Sequence, residues 1–169
     1  MAGTPVLMSV VAAMSLCAPI AFAGAPPDQA TLAALVQSAP ITLQQALAAA
    51  ETRGQPISAK FEIHEGHLRL SADITKEGDL LQVLIGHTTG RIVRFDPITA
   101  TEELAADRGR VAAMAKASKA LKTAVDEAEQ DAMGYRAVSV VPKLRSHHAV
   151  ATVILVKGKK FKSVSERLE

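Results

Sequence analysis

The chain has 169 residues, 49% of them apolar and 3% aromatic, with 19 basic and 17 acidic side chains and a formal charge of +2. Collagen-like and low-complexity chains are excluded by this composition. One tyrosine, four phenylalanines and no tryptophan leave little material for a base-stacking surface, so nucleic acid is not an expected partner.

The first charged side chain is Asp28, and the segment before it contains no Asp, Glu, Lys or Arg. Within it, Val6 to Leu16 is an apolar run too short for a membrane span of roughly 20 residues. The run leads to Ala21-Phe22-Ala23, the small-x-small pattern of a signal-peptidase site, followed by Pro26-Pro27. Residues 1–23 therefore read as a secretory signal peptide, with the terminal amine as its only positive group. Cys17 lies inside it, and Leu16 in the preceding place disfavours lipid attachment. Cleavage leaves a chain without cysteine, which removes disulfides and thiol chemistry. No later segment is apolar enough to span a bilayer, so a periplasmic or secreted product is expected.

Residues 24–40 read as a linker or arm, with moderate helical propensity over Gln29 to Ala39 that Pro40 terminates. Thr42 then opens a helix: Gln45 completes a capping box, and Leu43, Ala46, Leu47 and Ala50 share one face. Gly54 and Pro56 close it. From Ile57 the period changes from 3.6 to 2. Ile57, Ala59, Phe61 and Ile63 alternate with Ser58, Lys60 and Glu62, Glu65-Gly66 turns, and Leu68, Leu70, Ala72 and Ile74 follow. A second turn at Glu77-Gly78 leads to Leu81, Val83 and Ile85, and Thr88-Thr89-Gly90 leads to Ile92, Val93 and Phe95. Residues 41–99 thus form one helix followed by a four-stranded meander.

Thr99-Ala100-Thr101-Glu102 offers a capping box for a connecting helix that Gly109 is expected to interrupt. Then the program returns. Leu121, Ala124, Val125 and Ala128 match Leu43, Ala46, Leu47 and Ala50 at an offset of 78. Near an offset of 80 come Ala137, Ser139 and Val141, then Val150, Thr152 and Ile154, then Gly158 opposite Gly78, then Phe161. This agreement argues for duplication. The expected fold class is α+β, two repeats of one helix and an antiparallel β-meander with the helices packed on the sheet, the second repeat (within 100–169) being truncated.

Ile41-Thr42-Leu43, Ala46, Ala50-Glu51, the glycine after the helix and Thr89-Gly90-Arg91-Ile92 make the first repeat resemble a PepSY domain. The resemblance covers Ile41 to about Phe95, and Ala115 to Leu168 more weakly. Two places depart from the family pattern: Gly86 stands where an acidic residue is usual, and the second repeat has no Thr-Gly turn. The resemblance implies a small non-enzymatic extracytoplasmic module that restrains or accompanies peptidases. Its expected partner is a protein, such as a peptidase or envelope protein, engaged at a sheet edge or between the duplicated helices. No catalytic residue and no cofactor follow from it.

His64-Glu65-Gly66-His67 carries the strongest competing chemistry. A zincin helix needs histidines four apart, and these are three apart around a turn. The turn instead sets His64 and His67 opposite each other on one face, close enough to share Zn(II) or Cu(II). His147 and His148 occupy the matching hairpin, and one of them joins the site if the two tips meet. A periplasmic metal-binding protein is the alternative reading. His87 reads as a turn residue. Lys157, Lys159, Lys160 and Lys162 form a basic cluster that protects an edge or makes weak contact with an anionic surface. Asp126, Glu127, Glu129 and Asp131 are spaced around a helix, unlike a calcium loop.

Overall fold

The computed structural model describes residues 27–169, so the expected signal peptide and Cys17 lie outside the described residues. Among the described residues the architecture is α+β: four helices and one seven-stranded antiparallel sheet. In chain order these are α1 (Pro27–Ser38), α2 (Leu43–Glu51), β1 (Gln55–His64), β2 (His67–Lys76), β3 (Asp79–Ile85), β4 (Ile92–Pro97), α3 (Thr101–Met114), α4 (Leu121–Asp131), β5 (Arg136–Arg145), β6 (His148–Lys157) and β7 (Lys160–Arg167). The sheet order is β4-β3-β2-β1-β5-β6-β7. Sequence neighbours pair throughout except at the centre, where β1 meets β5 with Ala59 opposite Val140.

Local chemistry explains most boundaries. Thr42 and Gln45 form the capping box, each side chain bonding the other residue's backbone, and the buried residues of α2 are Leu43, Ala46, Leu47 and Ala50. Glu65-Gly66 and Glu77-Gly78 turn with positive φ at both positions, the backbone that two-residue hairpins require and glycine adopts without strain. The matching turn of β5 and β6 is Ser146-His147, where both φ values are positive without any glycine.

Four expectations change. The arm is α1, a helix whose Ala33 and Val36 are buried in the common core. The connecting helix α3 runs through Gly109 uninterrupted, and its N-cap is Ala100 without a side-chain bond, so no capping box forms there. A glycine inside a helix costs only about 1 kcal/mol, which neighbouring contacts override.

The third change concerns facing. In β6 the buried residues include Ala149, Ala151, Val153 and Leu155, while Val150, Thr152 and Ile154 lie on the opposite face. In β5, Val140 is buried while Ser139 and Val141 are only half-buried. The pairings Ala59–Ala72 and Val140–Val153 are related by 81 positions, and the bulged residues Ile57 and Val138 are 81 apart as well. An offset of 81 in place of 80 exchanges the two faces of every strand.

The fourth change is in the layers. α1, α2 and α4 pack with the face that carries Ala59, Ala72, Val83, Val140 and Val153, forming one core across both halves. α3 crosses the reverse face, over β1, β5 and β6.

Candidate functional site

The surface best arranged for chemistry or recognition is the β4 edge. β4 is bonded to β3 alone, in the register Leu81–Pro97, Gln82–Asp96, Val83–Phe95 and Leu84–Arg94. The Ile98 N–H donates to the Leu80 carbonyl at 3.0 Å. In an antiparallel ladder bonded and non-bonded pairs alternate, so Gln82–Asp96 and Leu84–Arg94 are bonded pairs, and Val83–Phe95 and Leu81–Pro97 are not. The peptide groups of Phe95 therefore point away from β3, out of the sheet. Pro97 fits this parity, because its missing N–H would face outward too. The helices pack over β1 to β3 and β5 to β7, which leaves Val93 67% and Phe95 43% exposed. On the reverse face Arg94 Nε lies 2.5 Å from Asp96 Oδ2. Beside this edge a mainly apolar recess of about 550 Å³ is lined by Leu80, Leu81, Pro97, Ile98, Leu104 and Val111, with Asp79 and Arg108 also in its wall.

The opposite edge is built differently. β7 places Lys160 opposite Lys157 and Lys162 opposite Leu155, and the Nζ atoms of Lys157 and Lys162 sit 5.8 and 6.0 Å from the Tyr135 ring centroid. Lys157 also donates to the Met133 carbonyl at 3.2 Å. Two lysines of the expected basic cluster are thus engaged by one aromatic ring. Between the helices, α2 and α4 pack together, and Gln44 Nε2 donates to Glu129 Oε2 at 2.7 Å. The other Glu129 oxygen accepts from the Ala137 N–H at 2.6 Å.

The histidines separate into two groups. His64 and His67 are register partners at the end of β1 and β2, exposed, and on the face shared by Glu62 and Arg69. His147 and His148 belong to the tip where Arg145 pairs His148. Since β1 and β5 run antiparallel about Ala59 and Val140, the two tips lie at opposite ends of the strands, about 30 Å apart at roughly 3.3 Å per residue. The geometry does not bring the four imidazoles together. His147 sits in the turn, where its carbonyl accepts from Lys116 Nζ at 3.1 Å, and His148 Nδ1 lies 2.7 Å from Glu169 Oε2. That hydrogen bond, with one from the Ala149 N–H, holds the Glu169 carboxyl below its ordinary range. Among the described residues no three His, Cys, Asp or Glu side chains are grouped to hold a metal ion.

Beneath α3 the structure gathers a polar cluster that no sequence motif announces. Asp73 Oδ2 accepts from Ser58 Oγ at 2.7 Å and from Arg110 Nη1 at 3.1 Å, and Asp73 Oδ1 accepts from Gln82 Nε2 at 3.3 Å. Arg110 also pairs with Asp107, whose side chain is 1% exposed and whose second oxygen has no partner. Burial, then the Asp73 charge, pushes the Asp107 carboxyl up, against the opposing pull of Arg110. The cluster lines a cavity of about 340 Å³ together with Glu102, Glu103 and Ser139. One guanidinium between two carboxylates is a clasp fastening α3 to the sheet.

No family model matches the chain, and no curated protein or solved structure matches it. No helix among the described residues is long and apolar enough to cross a membrane.

Proposed function

We propose that this chain is an exported, non-catalytic binding and regulatory module of two PepSY-like repeats, which restrains a peptidase by taking an extended segment of it onto the β4 edge. The supporting observation is the open edge itself: outward peptide groups at Phe95, uncovered Val93 and Phe95, and a mainly apolar recess alongside. In strand addition the backbone bonds supply affinity and neighbouring pockets select side chains. The paired 81-residue offsets of registers and bulges support the two-repeat reading. The lysine-bearing β7 edge is the protected one, since lysines along an edge oppose further pairing.

The test uses Phe95→Pro. Position 95 makes no bond to β3, so proline there removes the outward donor and the ring while sparing the ladder, as Pro97 already does. Hydrolysis by peptidases exported from the same cell is measured with each protein. The wild type is expected to inhibit one of them, and Phe95→Pro to weaken that inhibition at least about tenfold, the equivalent of one backbone bond and its burial. Absence of inhibition at every protein concentration from about 1 µM to the high micromolar range, or inhibition indifferent to Phe95→Pro, overturns the reading.

A further inference from the structure

Resting on the assignment of the β4 edge as the binding edge, we infer that a second copy of this chain occupies it, β4 against β4 in antiparallel register centred on Phe95, so that self-association regulates access to the site. The argument is one of self-complementarity. A symmetric antiparallel pair centred on residue 95 sets position 94 opposite 96 in the other copy, and the regular ladder covers residues 94–96, because Val93 is the bulged residue of β4 and Pro97 has no N–H to donate. Each Arg94 then faces Asp96 of the second copy, and the two Phe95 rings meet on the opposite face. Opposite charges and aromatic pairs directly across a ladder are both favourable.

Neighbouring symmetric registers fail on the same count. Centring on Arg94 sets Arg94 against Arg94, and centring on Asp96 sets Asp96 against Asp96, placing like charges opposite each other. Both residues also spend their peptide groups on β3, whereas Phe95 has its N–H and carbonyl free to exchange with the second copy. The chain already contains one join of this kind, where β1 and β5 meet about Ala59 and Val140. At β7 the lysines at one end, Lys157 and Lys162, are drawn onto the Tyr135 ring and stand along the edge as the like charges that oppose further pairing.

β4 has six residues, so the contact is smaller than the roughly 800 Å² per partner of a standard interface, and the dimer belongs to the weak, concentration-dependent class. A peptidase segment and a second copy compete for the same peptide groups.

Sedimentation of the full chain across about 1 µM to 1 mM, the range spanned by weak complexes, tests this. The expected result is a mass that rises from one copy to two. Arg94→Glu, which sets a carboxylate opposite the Asp96 carboxylate of the second copy, is expected to weaken the association at least tenfold, on the order of 1.4 kcal/mol. The exchange Arg94→Asp with Asp96→Arg restores the complement and is expected to restore the dimer. A mass that stays at one copy throughout overturns the inference, as does an Arg94→Glu protein that dimerises like the wild type. Failure of the exchanged protein to dimerise while its circular dichroism matches the wild type overturns it also. Peptidase inhibition assayed at about 1 µM, below the expected self-association range, reports on the binding reading alone, so the two can fail separately.

Discussion

Asp107 shows how one side chain can hold a helix in place and weaken the fold at once. Its carboxyl is buried beside Asp73, with one oxygen on Arg110 and the other unpartnered. The folded-state pKa lies above the ordinary 3.8, so the folded protein binds the proton more tightly than the unfolded chain. Ionised Asp107 therefore costs stability above the folded pKa, and that cost fades as pH falls and is gone below 3.8. Asp107→Asn is expected to raise the melting temperature at pH 7 by about 2–4 °C, roughly 1 kcal/mol for a chain of this size. Melting curves from pH 7 to pH 4 should show the advantage shrinking with pH. A gap that widens towards acid would mean that Asp107 is stabilised as the carboxylate. The histidines illustrate the limits of residue type: hairpin spacing is enough to set His64 across from His67, but only the strand directions show how far His147 and His148 lie from them.

At the scale of elements, legibility depends on whether the signal is local. The capping box of α2 and its buried stripe are readable because cap, Gln45 and apolar face lie close together along the chain. Thr42→Ala is expected to cost about 1 kcal/mol, the usual worth of an N-cap hydroxyl. Chemical denaturation should show a lower midpoint at unchanged slope. The turns at Glu65-Gly66 and Glu77-Gly78 are equally plain. By contrast, the facing of β5 and β6 differs from the expected one because most residues there are apolar or small, so period alone does not choose a face. The equivalent bulges at Ile57 and Val138 show the true offset of 81. α1 reads only as an arm because its low amphipathicity hides the docking of Ala33 and Val36. Its anchor is also remote in sequence: Arg136 donates to the Ile41 carbonyl at 2.7 Å and to the Gln37 carbonyl at 3.3 Å.

Across the whole molecule, the two halves share one core, joined by the β1–β5 ladder and by α2 against α4. They are therefore expected to unfold together. Tyr135, the single tyrosine of a chain without tryptophan, reports on the second half. Leu47→Ala, a fully buried truncation in the first half, should cost about 2–5 kcal/mol. It should lower the Tyr135 fluorescence midpoint and the circular-dichroism midpoint equally. A Tyr135 transition left in place would show two independent units. Near-neighbour chemistry written along the chain settles the α+β class, the meander of the first half, the glycine turns and the faces of α2 and α4, since each rests on contacts whose periodicity a linear pattern preserves. Folding in three dimensions settles the rest: one sheet joins both halves, α3 crosses its reverse face, Asp73, Asp107 and Arg110 meet, and β4 is left as the open edge. Those outcomes depend on which distant surfaces bury each other, and a one-dimensional pattern carries no record of that choice.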